Sequence, residues 1–579
     1  MLHLEIESRL RAVVATILPD ANLASIQVKP CPDPKFGDYQ SNALMALAKE
    51  RRMNPRQLAT DVAAKLDLDS LCERVEVAGA GFLNFKIRPD RISSLLGAAV
   101  RGEHLFYQKT ETPRTVVVDF SSPNVAKPMH VGHIRSTILG DCLARTLRLL
   151  GHRVVTDNHI GDWGTQFGKL LVGWKKHLDE KALEQDPIGE LERLYKLINS
   201  ASEQDASLLE EARQELVYLQ SGDEENLQIW KKMIALSQTQ FDTIYRRLGV
   251  SFDHCYGESF YNNALGSVVQ SLKDLQVARE SDGALVVFFE DNPELKDHPA
   301  IIQKRDGAAN YATTDLATLA FRLATWRPDE IIYVTDGRQQ LHFKQVFTIF
   351  RRWHPEVSTE LSHVWFGAIL GEDGKPFKTR SGETVKLADL LDESEERAFK
   401  LVTEKNPDFA ESERKEIARI IGLGAVKYSD LLPNRQSDYV FSWDKMLALN
   451  GNTAPYLQYA VTRIQSIFRK LEETAPEAIR WLEPSKQGVT LSTVEELRLA
   501  KSLMAFGLVL EAVAADHRPN YLCNYLYELA GHFTSFYENC PVLKSEEPDR
   551  SNRLALCHLT GNVLRCGLEV LGIETPSRM

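Results

Sequence analysis

Residues 115–158 leave this chain few folds to choose from. Thr115 to Phe120 (TVVVDF) is a short β-branched apolar run, and Arg153 to Asn158 (RVVTDN) is a second. Between them, Ile134, Ile138, Leu139, Cys142, Leu143, Thr146, Leu147 and Leu150 recur at the 3.6-residue period of a helix. Gly151 then suits the residue just past a helix end. Strand, helix and strand at this spacing form a βαβ unit, which pairs its strands in parallel and places helices on the faces of the sheet. The loop entering the helix reads Pro123-Asn124-Val125-Ala126-Lys127-Pro128-Met129-His130-Val131-Gly132-His133. It ends in His-x-Gly-His at a helix N-terminus, where unpaired N–H groups and the positive dipole end suit a phosphate. Gly132 is expected to let a nucleotide approach the backbone, since a Cβ there would stand in the way. His130 and His133, three apart, can project side by side and donate to phosphate oxygens.

The rest of the chain divides around this unit. Residues 1–110 read as a separate α+β domain, with helical patterns at 2–18 and 41–65 and strand patterns at 73–78 and 82–88. Residues 111–390 read as a parallel-sheet α/β domain, interrupted at about 173–248 by a charged, almost continuously helical stretch expected to be a peripheral insertion. The sheet is expected to resume at 285–289, 300–304 and 331–335 and to close at 364–370. From about 395 strand patterns vanish, and helical stretches at 444–473, 493–515, 519–539 and 549–571 predict an all-α bundle over 391–579, with a linker near 474–490. The expected fold class is therefore multidomain α/β, a Rossmann-type catalytic domain carrying a helical insertion between an α+β domain and a helical bundle. In such sheets ligands gather beyond the carboxyl ends of the strands, where Asp119, Asn124, His159 and Gln339 all fall. Tyr311 and Asp315 lie four apart on one helix face.

Composition excludes some classes. No run of 18 apolar residues occurs, so no membrane span is expected, and the first residues lack a signal-peptide core; the reading is a cytoplasmic protein. Eight cysteines occur without a C-x-x-C pair, which argues against zinc and against a disulfide framework. The net charge of −11 does not favour a nucleic-acid partner, but total charge says little when one face of a large protein binds.

The string Ser121-Ser122-Pro123-Asn124-Val125-Ala126-Lys127-Pro128-Met129-His130-Val131-Gly132-His133 resembles the HIGH signature of class I aminoacyl-tRNA synthetases, and the arginyl family in particular. Three more strings agree in order: Asn158 to Gly168 (NHIGDWGTQFG), Tyr311 to Asp315 (YATTD) and Asn452 to Ala460 (NTAPYLQYA). The resemblance spans almost the whole chain. It implies activation of arginine by ATP, with Mg²⁺ held by phosphates and water, and transfer to an arginine-accepting tRNA by a monomer. Activation in that family usually needs the tRNA. Arginine would be met by Asp119, Tyr311, Asp315 and Gln339, with Asn124 nearer its α-groups, and phosphates by His130 and His133.

The second signature of the class is degenerate here (Gly371 to Gly382, GEDGKPFKTRSG), which leaves the pyrophosphate-stabilising cation open. Lys127 is favoured, and Lys378 and Arg380 stay as alternatives. Phe82 and Asn84 match the family's contact to the outer corner of the tRNA; Phe82 reads equally well as strand core. Tyr456, Tyr459 and Met579 match its anticodon contacts, against a simpler reading of tyrosines packed between helices. A nucleotidylyltransferase shares the His-x-Gly-His loop but would not need the helical bundle. A catalytically silent tRNA-binding paralogue would be expected to have lost His130, His133 or Asp315.

Overall fold

The computed structural model describes residues 1–33, 35–377, 384–474 and 488–579. The strand Thr115–Phe120 (β1) leads through the helix Val131–Leu149 (α1) to the strand Arg153–Asp157 (β2), as the periodicity predicts to within three residues. Five helices follow, from Gln166–His177 to Glu224–Leu248 (α2). The helix Tyr311–Trp326 (α3), the strand Glu330–Val334 (β3), the helix Gln340–Trp353 (α4) and the strand Glu360–His363 (β4) complete the α/β core. All four strands are parallel, in the order β4-β3-β1-β2. The chain leaves β1 toward β2 on one side and returns through β3 on the other, so β1 and β3 flank the switch point. Side chains of β1 alternate between two cores: Val116, Val118 and Phe120 pack with α1, and Val117 packs with Leu316 and Phe350 on the opposite face.

Three sheet expectations are corrected. Residues 285–289 and 300–304 do not extend the parallel sheet: Ala284–Val287 and Ala300–Gln303 join Arg279–Ser281 in a separate antiparallel sheet. The closing strand is Glu360–His363 rather than 364–370. Strands do not vanish after residue 395 either, because Tyr439–Val440 pairs in parallel with Ile369–Leu370 and ties the helical region back to the α/β core.

The insertion is not peripheral throughout. Along α2, Ser237, Phe241 and Tyr245 are buried, and the hydroxyls of Ser237 and Tyr245 reach the signature loop at Ala126 and Ser121. The helix expected at 41–65 is two, Ala43–Glu50 and Pro55–Lys65; Asn54 caps the second, its side-chain oxygen accepting from the N–H groups of Arg56 and Gln57. The N-terminal sheet is antiparallel and four-stranded. Leu387–Lys405 (α5) and Glu411–Leu431 (α6) begin the helical region. Helices from Ala454–Thr474 to Asp549–Val570 complete it, and most of the expected linker near 474–490 lies outside the described residues.

Candidate active site

The loop leaving β1 is locally strained. Ser121, Ser122 and Ala126 have φ of 75°, 48° and 62°, a region that side chains with a Cβ disfavour. It ends where α1 begins, with His130 as the N-cap. The His130 Nδ1 accepts the Gly132 N–H at 3.0 Å, and the His133 Nδ1 accepts the His130 N–H at 3.0 Å. Both rings are thereby fixed as Nε2–H tautomers, and their centroids lie 4.0 Å apart. Burial pulls the His133 pKa down to about 3, with His130 adding to the effect. Burial also lowers that of His130, helped by the charges of Arg338 and Lys127.

The two rings stand side by side, as their spacing predicts. His130 lines the cavity at the start of α1, and His133 does not line that one. A Cβ on Gly132 would meet the His130 Cε1 at 2.8 Å, so the space this glycine leaves is taken by the folded-back ring of His130.

A cavity of about 410 Å³ opens at the switch point, and Asp119, Asn124, Tyr311, Asp315 and Gln339 all line it, together with His159. Register explains the convergence: Tyr333, Asp119 and Asp157 are neighbours across β3, β1 and β2. Asn124 is seated by Gly161, where any Cβ would fall 2.3 Å from its Oδ1. Asp119 and Asp157 share a cation that sequence reasoning missed. The fully buried Arg322 of α3 donates through Nη2 to Asp119 at 2.6 Å and to Asp157 at 2.8 Å, and its guanidinium lies 5.3 Å from the Tyr333 ring centre. Asp119 is therefore not a free half of a two-carboxylate fork, since Ser122 also donates to its second oxygen at 3.2 Å. The available signal was the Asp that ends both TVVVD and RVVTD; two carboxylates side by side in a buried sheet demand a counter-ion.

Asp315 is also engaged, accepting from the His342 Nε2 at 2.5 Å. Burial works against a charged imidazole there, yet the hydrogen bond and charge of Asp315 lift His342 above the usual histidine value. Glu258 is a third cavity acid missed from sequence. Burial, then the charges of Asp315 and Asp162, raise its pKa to about 8.

A second cavity, about 650 Å³, is lined by His130, Gly132, Arg338, Phe377 and Thr384. It is an open site at a helix N-terminus. The segment reaching α5 runs against the signature: Val131 donates to the Val385 carbonyl at 3.1 Å, and Leu387 donates to that of Met129 at 2.9 Å. Lys127 lines neither cavity; its ammonium lies 5.0 Å from the Tyr195 ring centre on the insertion. Lys378 and Arg380 fall outside the described residues. Arg338, its side chain 89% exposed and paired with Asp336 at 2.8 Å, is a further cation at this cavity that the sequence did not single out.

The remaining expected contacts lie far from the cavities in sequence. Phe82 is half-buried at the start of its strand, while Asn84 is buried with no partner for its Oδ1. Tyr459 is exposed on the helix Ala454–Thr474, and Tyr456 meets Tyr527 edge-on with ring centres 5.6 Å apart. Arg463, one turn on, covers the Tyr537 ring at 4.6 Å. Met579 packs on a small core formed by α5 and α6. The tail before it is pinned where Gln458 donates to the Glu574 carbonyl at 2.8 Å.

A parallel sheet whose first crossover helix opens on His-x-Gly-His, with a ligand cavity at the switch point, has the build of a class I synthetase core. Residues 94–443 match the family model described as tRNA synthetases class I (R), catalytic domain. Residues 4–87 match the arginyl tRNA synthetase N terminal domain, and residues 457–579 match the DALR anticodon binding domain. The chain belongs to the arginyl-tRNA synthetase family. It is 46% identical to an arginine–tRNA ligase of Klebsiella pneumoniae over 96% of each chain, and 44% identical to one of Chromobacterium violaceum over 100% of each. Its fold superposes on the Thermus thermophilus arginyl-tRNA synthetase with a TM-score of 0.84 at 26% identity, covering 100% of both chains. The Plasmodium falciparum arginyl-tRNA synthetase gives 0.83 at 29%, covering 100% of this chain and 99% of that one.

Proposed function

We propose that the chain joins arginine to an arginine-accepting tRNA through an arginyl-adenylate, and that activation requires the bound tRNA. The observation that carries this reading is the acid-lined cavity at the switch point, which gathers Asp119, Asn124, Tyr311, Asp315 and Gln339 beside a signature helix opening on His130. With Asp119 already held by Arg322 and Ser122, a guanidinium brings donors to the acceptors still open there, the second oxygen of Asp315 among them, in a fork that an ammonium lacks. The arginine carboxylate attacks the α-phosphorus of ATP and displaces pyrophosphate; the terminal adenosine hydroxyl of the tRNA then attacks the arginyl carbonyl, the bond to the phosphate breaks, and AMP leaves. Catalysis of this kind rests on positioning and on charge stabilisation. The His130 Nε2–H supplies a neutral donor at the second cavity, and His133 holds the His130 backbone in place. Lys127, Lys378 and Arg380, joined by Arg338, compete for the role at pyrophosphate. Mg²⁺ is carried by phosphate oxygens and water. Of the expected tRNA contacts, Tyr459 and the half-buried Phe82 and Tyr456 are offered to the tRNA directly, Asn84 and Met579 support them from buried and part-buried positions, and the protein acts as a cytoplasmic monomer.

The test is pyrophosphate–ATP exchange with arginine or lysine, with and without an arginine-accepting tRNA. Exchange confined to arginine plus tRNA is the expected result. Exchange with lysine, or none from protein that still binds the tRNA, overturns the reading. Repeating it with Lys127→Ala, Lys378→Ala, Arg380→Ala and Arg338→Ala identifies the cation by the largest loss of kcat.

A further inference from the structure

We infer that Tyr245 and Ser237, both on α2 of the helical insertion, are positioning residues for the loop between β1 and the signature helix. Left-handed φ values at three non-glycine residues within six positions do not sustain themselves, and something outside the loop must hold them. Each of the three N–H groups donates to a side-chain oxygen from a different element. Ser121 donates to the Ser136 Oγ at 2.8 Å, Ser122 to the Asn158 Oδ1 at 3.0 Å, and Ala126 to the Ser237 Oγ at 3.0 Å. The fully buried Ser237 is fixed in turn by donating to the Met233 carbonyl.

The Tyr245 hydroxyl sits at the other end of the loop, 2.8 Å from the Ser121 Oγ and accepting from the Asn158 Nδ2 at 2.9 Å. It thereby sets the amide orientation in which the Asn158 oxygen faces Ser122. The same helix also reaches the loop after β2, where the Trp230 indole donates to the Asp162 carbonyl at 2.9 Å. Ser122 and Asn124 line the acid-lined cavity, whereas Ala126 precedes the run to Lys127 and His130. Tyr245 therefore governs how the amino-acid side is presented, and Ser237 governs the approach to the histidines. Neither side chain lines either of the two cavities described, so each acts through the loop.

The inference rests on the proposed arginine activation. Its test is the tRNA-supported pyrophosphate exchange with arginine and ATP titrated separately, on wild type, Tyr245→Phe, Ser237→Ala and Thr243→Ala. Phenylalanine keeps the ring against Phe252 and removes only the hydroxyl. Thr243 is exposed on the same helix and serves as the control. Loss of two neutral hydrogen bonds predicts that Tyr245→Phe raises KM for arginine about tenfold, with KM for ATP and tRNA affinity little changed. Ser237→Ala lowers kcat more than it moves KM for arginine, and Thr243→Ala matches wild type. Wild-type constants in both loop-facing variants overturn the inference. So does a loss that only follows the fraction of folded protein, read from melting curves. Should Tyr245→Phe fail to fold, Ser237→Ala carries the test alone. A wild type that shows no arginine-dependent exchange overturns the functional reading instead, so the two failures are distinguishable.

Discussion

A histidine whose Nδ1 accepts a backbone N–H has only Nε2 left for a ligand, and at His133 burial holds the ring neutral as well. The unfolded chain binds this proton below its ordinary value of 6.5, whereas the folded ring stays neutral down to about 3. The folded state therefore loses stability as pH falls through that window, by up to about 1.4 kcal/mol per pH unit. His133→Gln should flatten the dependence of the melting temperature between pH 6.5 and 4, and an unchanged slope would place the titration elsewhere. At Asp315, removing the charge removes a charge-assisted hydrogen bond, so Asp315→Asn should raise KM for arginine by about 10- to 100-fold. Initial-rate kinetics measure it. Both side chains stand out in the sequence because their neighbours in the chain mark them. Arg322 does not, because one arginine on an amphipathic helix looks solvated until two strand ends, 203 and 165 residues upstream, are brought together beneath it.

Among elements, α1 was legible to within three residues because its strands, its cap and its apolar stripe are local signals. Its packing was not, since nothing local says how close a strand lies. Gly140 faces β1, and a Cβ there would meet the Phe120 ring carbons within 2.5 Å. Gly140→Ala should lower stability by about 1–3 kcal/mol or more, against the gain that alanine gives an exposed helix. Urea unfolding measures the difference, and a stabilised variant would mean that helix and strand separate without cost. The antiparallel strands at 284–287 and 300–303 were misassigned for the same reason, because an apolar run does not announce its partner. Asp119, Asn124, His159, Gln339, Tyr311 and Asp315 lie at strand ends or on one helix face, and the family resemblance singles out all but His159, whereas Glu258 and His342 face the cavity from segments that carry no such mark.

For the molecule as a whole, the helical region is joined to the α/β core through charge buried at their contact. Arg135 of α1 reaches Asp430 of α6 at 3.0 Å, both of them 1% exposed, and also donates to the Gly367 carbonyl at 2.7 Å. Removing either partner strands a buried charge, so Arg135→Met alone should cost about 3–5 kcal/mol, and the double variant Arg135→Met/Asp430→Leu should recover most of it. Equal losses in single and double variants would deny the coupling. A boundary read at residue 390 from the fading of strand patterns falls inside α5, because helices on either side of it look alike in sequence. Urea, not a guanidinium salt, is the denaturant for these experiments. A cavity whose open acceptors suit the guanidinium tip of an amino acid should also admit the same ion free in solution. At low concentration the common unfolding agent should therefore be an active-site ligand, raising the melting temperature and competing with arginine, before at high concentration it unfolds the chain.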